Sequence, residues 1–161
     1  MSVTDLIRSR RNIKSFKPDD IAESELLYWL EAASYAPNHR MTEPWELKLV
    51  GPDTRARLNH KTDFGHAPVV LAVLSKKGAS AMERDENMMA SACYVQNFLL
   101  AAHEAGVGAY WASLGALPQN REILGVSEEY DVIGVFGIGY PEEVPAAKPR
   151  TPITAKLTRL V

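Results

Sequence analysis

The stretch DVIGVFGIG, residues 131–139, decides the fold. It is apolar and holds three glycines, so it has two readings. In a dinucleotide-binding fold it would be a strand and phosphate loop, with glycines spaced GxGxxG and a helix directly after them. Here Gly134, Gly137 and Gly139 are spaced GxxGxG and run into YPEE (140–143), which opens no helix. The run therefore reads as a buried strand whose glycines permit close packing in the sheet.

Working outward, PVVLAVLS (68–75) is continuously apolar and β-branched, the pattern of a strand buried on both faces. WELKLV (45–50) alternates Trp45, Leu47 and Leu49 with Glu46 and Lys48, which predicts a half-buried strand. VGAYWAS (107–113) predicts a short one. Between the buried strands, residues 83–106 predict a long helix ended by Gly106. It is apolar nearly all round from Met88 to Ala102, so several of its sides need cover. A helix carrying Leu26, Leu27, Leu30, Ala33 and Ser34 is expected to start at a capping box of Asp20 and Glu23 and to stop at Pro37. Shorter helices are expected at three places. One follows Ser2 and Thr4 and ends near Arg8 to Arg11. One is capped by Asp53 and runs to about Asn59. One lies between Pro118 and Gly125. The tail from Tyr140 has four prolines and no regular helix before Thr154.

The sum is an α+β chain in a single domain, residues 1–161. The tail, 141–161, finds no place on its own subunit and is expected to wrap a second one. The apolar helix at 87–105 also favours a dimer.

Composition removes several function classes. A net charge of −2 argues against a dedicated nucleic-acid binder. The single cysteine, Cys93, excludes an internal disulfide and a cysteine-based zinc site, and its apolar surroundings predict a buried, inert thiol. His39, His60, His66 and His103 form no HxxxH or HExxH pattern, so no metal is expected. There is no GxxxxGK[ST] loop and no GxSxG elbow. Neither a secretory h-region nor an apolar run of membrane-spanning length is present, so a cytoplasmic protein is the expectation.

What remains is charge. RSRRNIKSF (8–16) carries Arg8, Arg10, Arg11 and Lys14, with no acid between Asp5 and Asp19. Lys148 and Arg150 stand in AAKPRTP near the other end. Each group alone reads as solvated surface charge. If they converge, they suit a doubly charged phosphate, with Asn12 adding a short polar side chain. Arg55 reads as an ordinary surface cation.

Four segments, in order, resemble the flavin-dependent nitroreductase family: RRNIKSF (10–16), AASYAPNHRMTEPW (32–45), GVGAYWASLG (106–115) and GIGYPEEVP with KPR (137–150). The resemblance implies a nitroreductase-like α/β sandwich: a central, mostly antiparallel sheet of four or five strands flanked by helices, in a homodimer with FMN at the interface. By position, Arg10, Arg11 and Asn12 match residues gripping the flavin phosphate and ribityl chain. Lys14 matches a cation beside the N1/O2 edge of the ring. Tyr35 and His39, with Asn38 and Arg40 as neighbours, fall where the second subunit's loop meets the cofactor. Trp111, Ala112 and Ser113 match the strand whose backbone faces the ring near N5, and Lys148 and Arg150 the tail cations on the phosphate.

The implied activity is an FMN-dependent oxidoreductase using NADH or NADPH, with ping-pong turnover onto nitroaromatics, quinones or similar flat acceptors. The flavin would carry the chemistry, so no catalytic side chain is assigned. Departures from the family pattern are Asn at position 12, Ser-Leu-Gly at 113–115, and a short segment at 51–67 that implies a more open pocket. Two other readings stand beside it: a flavin-binding protein without efficient reductase activity, and a small nucleic-acid-binding domain using Arg8 to Lys14.

Overall fold

Four strands make one antiparallel sheet in the order β1-β2-β4-β3 in the computed structural model, which describes residues 2–160. The strands are β1 (Trp45–Leu49), β2 (Val69–Lys76), β3 (Gly108–Ala112) and β4 (Tyr130–Gly139). The helices are α1 (Val3–Ser9), α2 (Glu23–Ala33), α3 (Pro52–Leu58), α4 (Ala81–Glu104) and α5 (Pro118–Ile123). The two apolar runs read as buried strands are the central pair. β2 and β4 are in register from Val69 opposite Ile138 to Lys76 opposite Tyr130, with a bulge between Val73 and Leu74.

The glycines of β4 do what the strand reading requires. A Cβ on Gly134 would lie 2.2 Å from the Trp111 indole nitrogen, so the indole fits only over a glycine. One on Gly137 would lie 2.7 Å from the Phe64 carbonyl oxygen.

α4 and α2 cover one face of the sheet. Leu71, Val73, Phe136 and Ile138 pack there against Tyr94, Val95, Phe98, Trp29 and Leu30. The Tyr94 hydroxyl donates to the Leu30 carbonyl at 2.9 Å, and burial holds that phenol above its usual pKa. Trp45 stacks on Tyr94 at 4.9 Å. The other face carries a smaller core of Leu58, Phe64, Val70, Ala72, Leu124 and Val135. Burying apolar side chains at about 25 cal/mol per Å² is what fixes each face.

Three local expectations need correction. α2 is capped at Ala22 with no side-chain hydrogen bond, so Asp20 and Glu23 form no capping box; Glu23 is the first helical residue. α3 starts from Gly51 with Pro52 in its first turn, and Asp53 is a first-turn acid rather than the cap. Cys93 is exposed, not buried. It lies on the face of α4 turned away from the sheet, where Met89 is also exposed. That helix is therefore uncovered on one side in a single chain.

Candidate functional site

α1 is a short, well-capped helix. Ser2 Oγ accepts from the Asp5 N–H, and the Asp5 carboxylate accepts from the Ser2 N–H. It ends at Arg10, and the chain then leaves in extended form. Arg11 closes the helix end: its Nη1 donates to the carbonyls of Arg8 (2.7 Å), Ser9 (2.9 Å) and Arg10 (3.0 Å). Those are C-terminal carbonyls, which a cation satisfies well.

From Asn12 to Lys17 the chain is tied down on both sides. The Ile13 N–H donates to the Ala109 carbonyl of β3 at 3.0 Å, and Asn12 Oδ1 accepts from the Trp111 N–H at 3.4 Å. The Lys17 N–H donates to Tyr140, and the Glu142 N–H donates back to Ser15. The second pair of bonds is decisive for position. It fastens the start of the C-terminal tail beside the cation segment, and the tail then folds over it.

The result is a cavity of about 660 Å³ lined by both basic segments. Arg8, Arg10, Arg11 and Lys14 come from the first; Lys148 and Arg150 come from the tail. Asn12 and Ser15 add polar atoms, Ile7, Pro145, Ala146 and Ala147 add apolar surface, and Glu143 is the one acid in the lining. Among the described residues, none of these six cations has a carboxylate within 4.0 Å. Burial holds the Arg10 pKa below its ordinary value, and the neighbouring charges of Arg11 and Arg150 lower it further. Such a crowd of unpaired cations is a poor structural device and a good receptor for a dianion.

A smaller cavity of about 170 Å³ lies behind Arg10 and Arg11, against His103, Val107 and Pro141. His103 Nε2 lies 2.8 Å from Ser9 Oγ, so this histidine is engaged with α1 rather than a plain surface residue. Burial, and then Arg10 and Arg11, lower its pKa.

The other expected site residues sit elsewhere. Trp111 and Ala112 end β3, and only the Trp111 N–H reaches the cation segment, through Asn12. The Trp111 indole donates to the Ile133 carbonyl at 3.2 Å. Ser113 leads into a single 3-10 turn, Leu114–Ala116, in which Gly115 is buried. A Cβ there would lie 2.8 Å from both Val132 and Val135, which explains the Ser-Leu-Gly order. Tyr35, Asn38 and His39 do not line the cation cavity. Tyr35 is 86% exposed. Asn38 braces its own loop: its Nδ2 donates to Ala36 and its Oδ1 accepts from the Glu43 N–H. His39 opens a tight turn in which Arg40 and Met41 have φ of 54° and 55°.

Sequence reasoning missed the segment 59–67. Arg55 is not a free surface cation. Its Nε pairs with Asp63 at 2.5 Å, Nη1 donates to the Ala67 carbonyl and Nη2 to the Asp63 carbonyl. These bonds hold a left-handed run, with φ between 44° and 68° at Asp63, Phe64, Gly65 and His66. For the three non-glycine residues that conformation costs roughly 1–2 kcal/mol apiece. No local sequence signal announces it apart from Gly65.

A four-stranded antiparallel sheet with helices on its main face defines an α+β protein, and the cavity at the end of its first helix is lined by six cations. Comparison with known proteins sharpens that class. The nitroreductase family model matches residues 7–63 and 58–140. The protein of Bacillus subtilis (strain 168) called "Putative NAD(P)H nitroreductase YfhC" is 33% identical over 97% of this chain and 93% of its own length. The solved nitroreductase-like family protein of Bacillus cereus superposes with a TM-score of 0.90, covering 99% of this chain and 96% of its own at 29% identity. A BluB-like flavoprotein of Clostridium difficile 630 shares the fold, with a TM-score of 0.83 over the whole of both chains at 19% identity. The chain belongs to the nitroreductase family and is an oxidoreductase of that family.

Proposed function

We propose that this protein is an FMN-dependent NAD(P)H oxidoreductase that works as a homodimer. The observation that carries the reading is the meeting of Arg10 with Lys148 and Arg150 around one cavity, with no acid among the described residues paired to any of them. The donor set fits the phosphate of FMN: forked guanidinium donors for a dianion, a lysine as a point charge, and apolar walls for the chain beyond.

When bound, FMN would supply the two-electron chemistry, taking hydride from NADH or NADPH and passing electrons to a nitroaromatic, quinone or similar flat acceptor. The chain's own residues bind and orient. Arg10 and Arg150 hold the phosphate. Arg11, already committed to the carbonyls ending α1, fixes the direction of that grip. Asn12 keeps Oδ1 on the Trp111 N–H, leaving its amide to donate into the cavity. Lys14 would offer a cation to the electron-rich ring, and the backbone of Trp111 to Ser113, which lies outside the cavity lining, would be its other neighbour.

Tyr35, Asn38 and His39 would complete the site from a second subunit. Support for this comes from what a single chain leaves uncovered. Leu27 and Tyr28 on α2, Tyr35 just after it, Met89 on α4, and Ile153 and Leu157 in the tail are all exposed. Residues 141–150 of the tail lie on their own chain's cation segment, so the part that would lie across the partner is the stretch beyond Arg150 rather than the whole of 141–161.

The purified protein should show a flavin visible spectrum, or acquire one with added FMN, and should be bleached rapidly by NADH or NADPH in stopped flow. A colourless protein that ignores FMN contradicts the reading. A coloured protein that bleaches only very slowly is a flavin-binding protein, not a reductase.

A further inference from the structure

Outside the cation cavity, the segment 59–66 concentrates backbone strain: Asn59, Asp63, Phe64, Gly65 and His66 all have positive φ. Strain of that kind persists only where its surroundings over-determine it. His60 does so here. Its Nδ1 accepts from the Phe64 N–H at 2.9 Å and from the Thr62 N–H at 3.4 Å. Its ring stacks on Phe64 at 4.3 Å and meets the edge of Tyr110 at 5.3 Å. A nitrogen that accepts from backbone amides carries no proton, so this arrangement requires the neutral imidazole.

The turn that His60 holds is wedged against the cation segment. The Gly65 carbonyl accepts from the Phe16 N–H at 3.0 Å. Gly65 lies so near Lys14 that a Cβ there would fall 2.2 Å from the Lys14 carbonyl oxygen. On its other side Phe64 presses on Gly137 of β4. The turn thus sets the backbone from Lys14 to Phe16.

We propose that His60 is a positioning residue for the cation cavity: neutral, it locks the left-handed turn under Lys14, and protonated, it releases that turn and loosens the cavity. The consequence for FMN rests on the flavin reading of the cavity; the release of the turn does not.

The groups facing His60 set the sign. Burial lowers its pKa, Asp63 raises it and Arg55 of α3 lowers it. Arg57 and Lys61 line the same groove and bring two further cations. Tyr110 of β3 and Gln119 and Asn120 of α5 bring no formal charge at neutral pH. The folded-state pKa lies below the unfolded value. The stabilisation is therefore present above the ordinary histidine range and is lost as pH falls through the folded value.

The test uses the full chain, comparing the native protein with His60→Asn and His60→Phe between about pH 5 and pH 8. Asparagine keeps an acceptor oxygen and does not titrate. The readouts are exchange protection of the Phe16 and Phe64 amides and FMN affinity by fluorescence titration. In the native protein both should fall together on acidification, by up to about tenfold per pH unit below the His60 pKa. In His60→Asn the protection should stay level, and the affinity should keep only the slope due to the ligand phosphate and to His103 beside Arg10 and Arg11. In His60→Phe protection should be low at every pH. Native protection that ignores pH, or a His60→Asn profile that follows the native one, overturns the proposal. FMN that fails to bind at any pH contradicts the flavin reading instead, and the exchange data then still decide the role of His60.

Discussion

Arg10 keeps its charge in an unfavourable place. Its guanidinium is half-buried, Arg11 follows it in sequence, and Arg150 arrives from the tail. In the absence of an anion the three repel, and an incoming dianion relieves all of them at once. That asymmetry gives a two-sided prediction. Arg10→Ala should weaken FMN binding by about 2–3 kcal/mol, the scale of a charge-assisted hydrogen bond plus an uncompensated phosphate. The same change should leave the melting temperature of the ligand-free chain level or slightly raised. Calorimetric titration and thermal denaturation check the two halves, and unchanged FMN affinity contradicts the role. The charges themselves were legible, since four cations within Arg8 to Lys14 stand out in a chain of net charge −2. Their convergence with Lys148 was legible only through family resemblance, because the charge pattern does not say that Lys17 bonds Tyr140 and Glu142 bonds Ser15.

At the scale of elements, the segment after α3 behaves differently from its sequence. Periodicity identified β2 and β4, because burial on both faces leaves a plain apolar record. It also located α4, although not its bare side at Met89 and Cys93, since a helix apolar all round does not declare which face lacks a neighbour. It could not find the left-handed run at Asp63 to His66, because residues other than glycine, Asp and His among them, visit that region singly and not as a run. What sustains the run is Arg55, whose three donors reach Asp63 and Ala67. Arg55→Ala, which the sequence alone would rank as harmless, should therefore cost about 1–3 kcal/mol, because it removes several hydrogen bonds to a charged group and takes from Asp63 its nearest cation. Denaturant unfolding measures it, and exchange should show the loss centred on 60–67. A change within about 0.5 kcal/mol, the range of ordinary surface substitutions, contradicts the clamp.

At the scale of the whole molecule, the sheet brings the two ends of the chain together. β3 anchors the first basic segment through Ala109, and β4 delivers the chain to Tyr140, from which the tail crosses that same segment. The α+β class follows from buried runs and breakers, the strand order β1-β2-β4-β3 is seen only in the structure, and the family is shown by the match across most of the chain. The second subunit is not written in any one segment. It is inferred from what one chain leaves exposed, such as Tyr35 and Leu157. The physical centre of the account is a phosphate held from both ends of the polypeptide. The most direct measurement compares FMN with riboflavin, which has the same ring and no phosphate, by fluorescence titration of the ligand-free protein. The account predicts that FMN binds at least about 30-fold more tightly, the equivalent of roughly 2 kcal/mol from charge-assisted bonds. Equal affinities would contradict it.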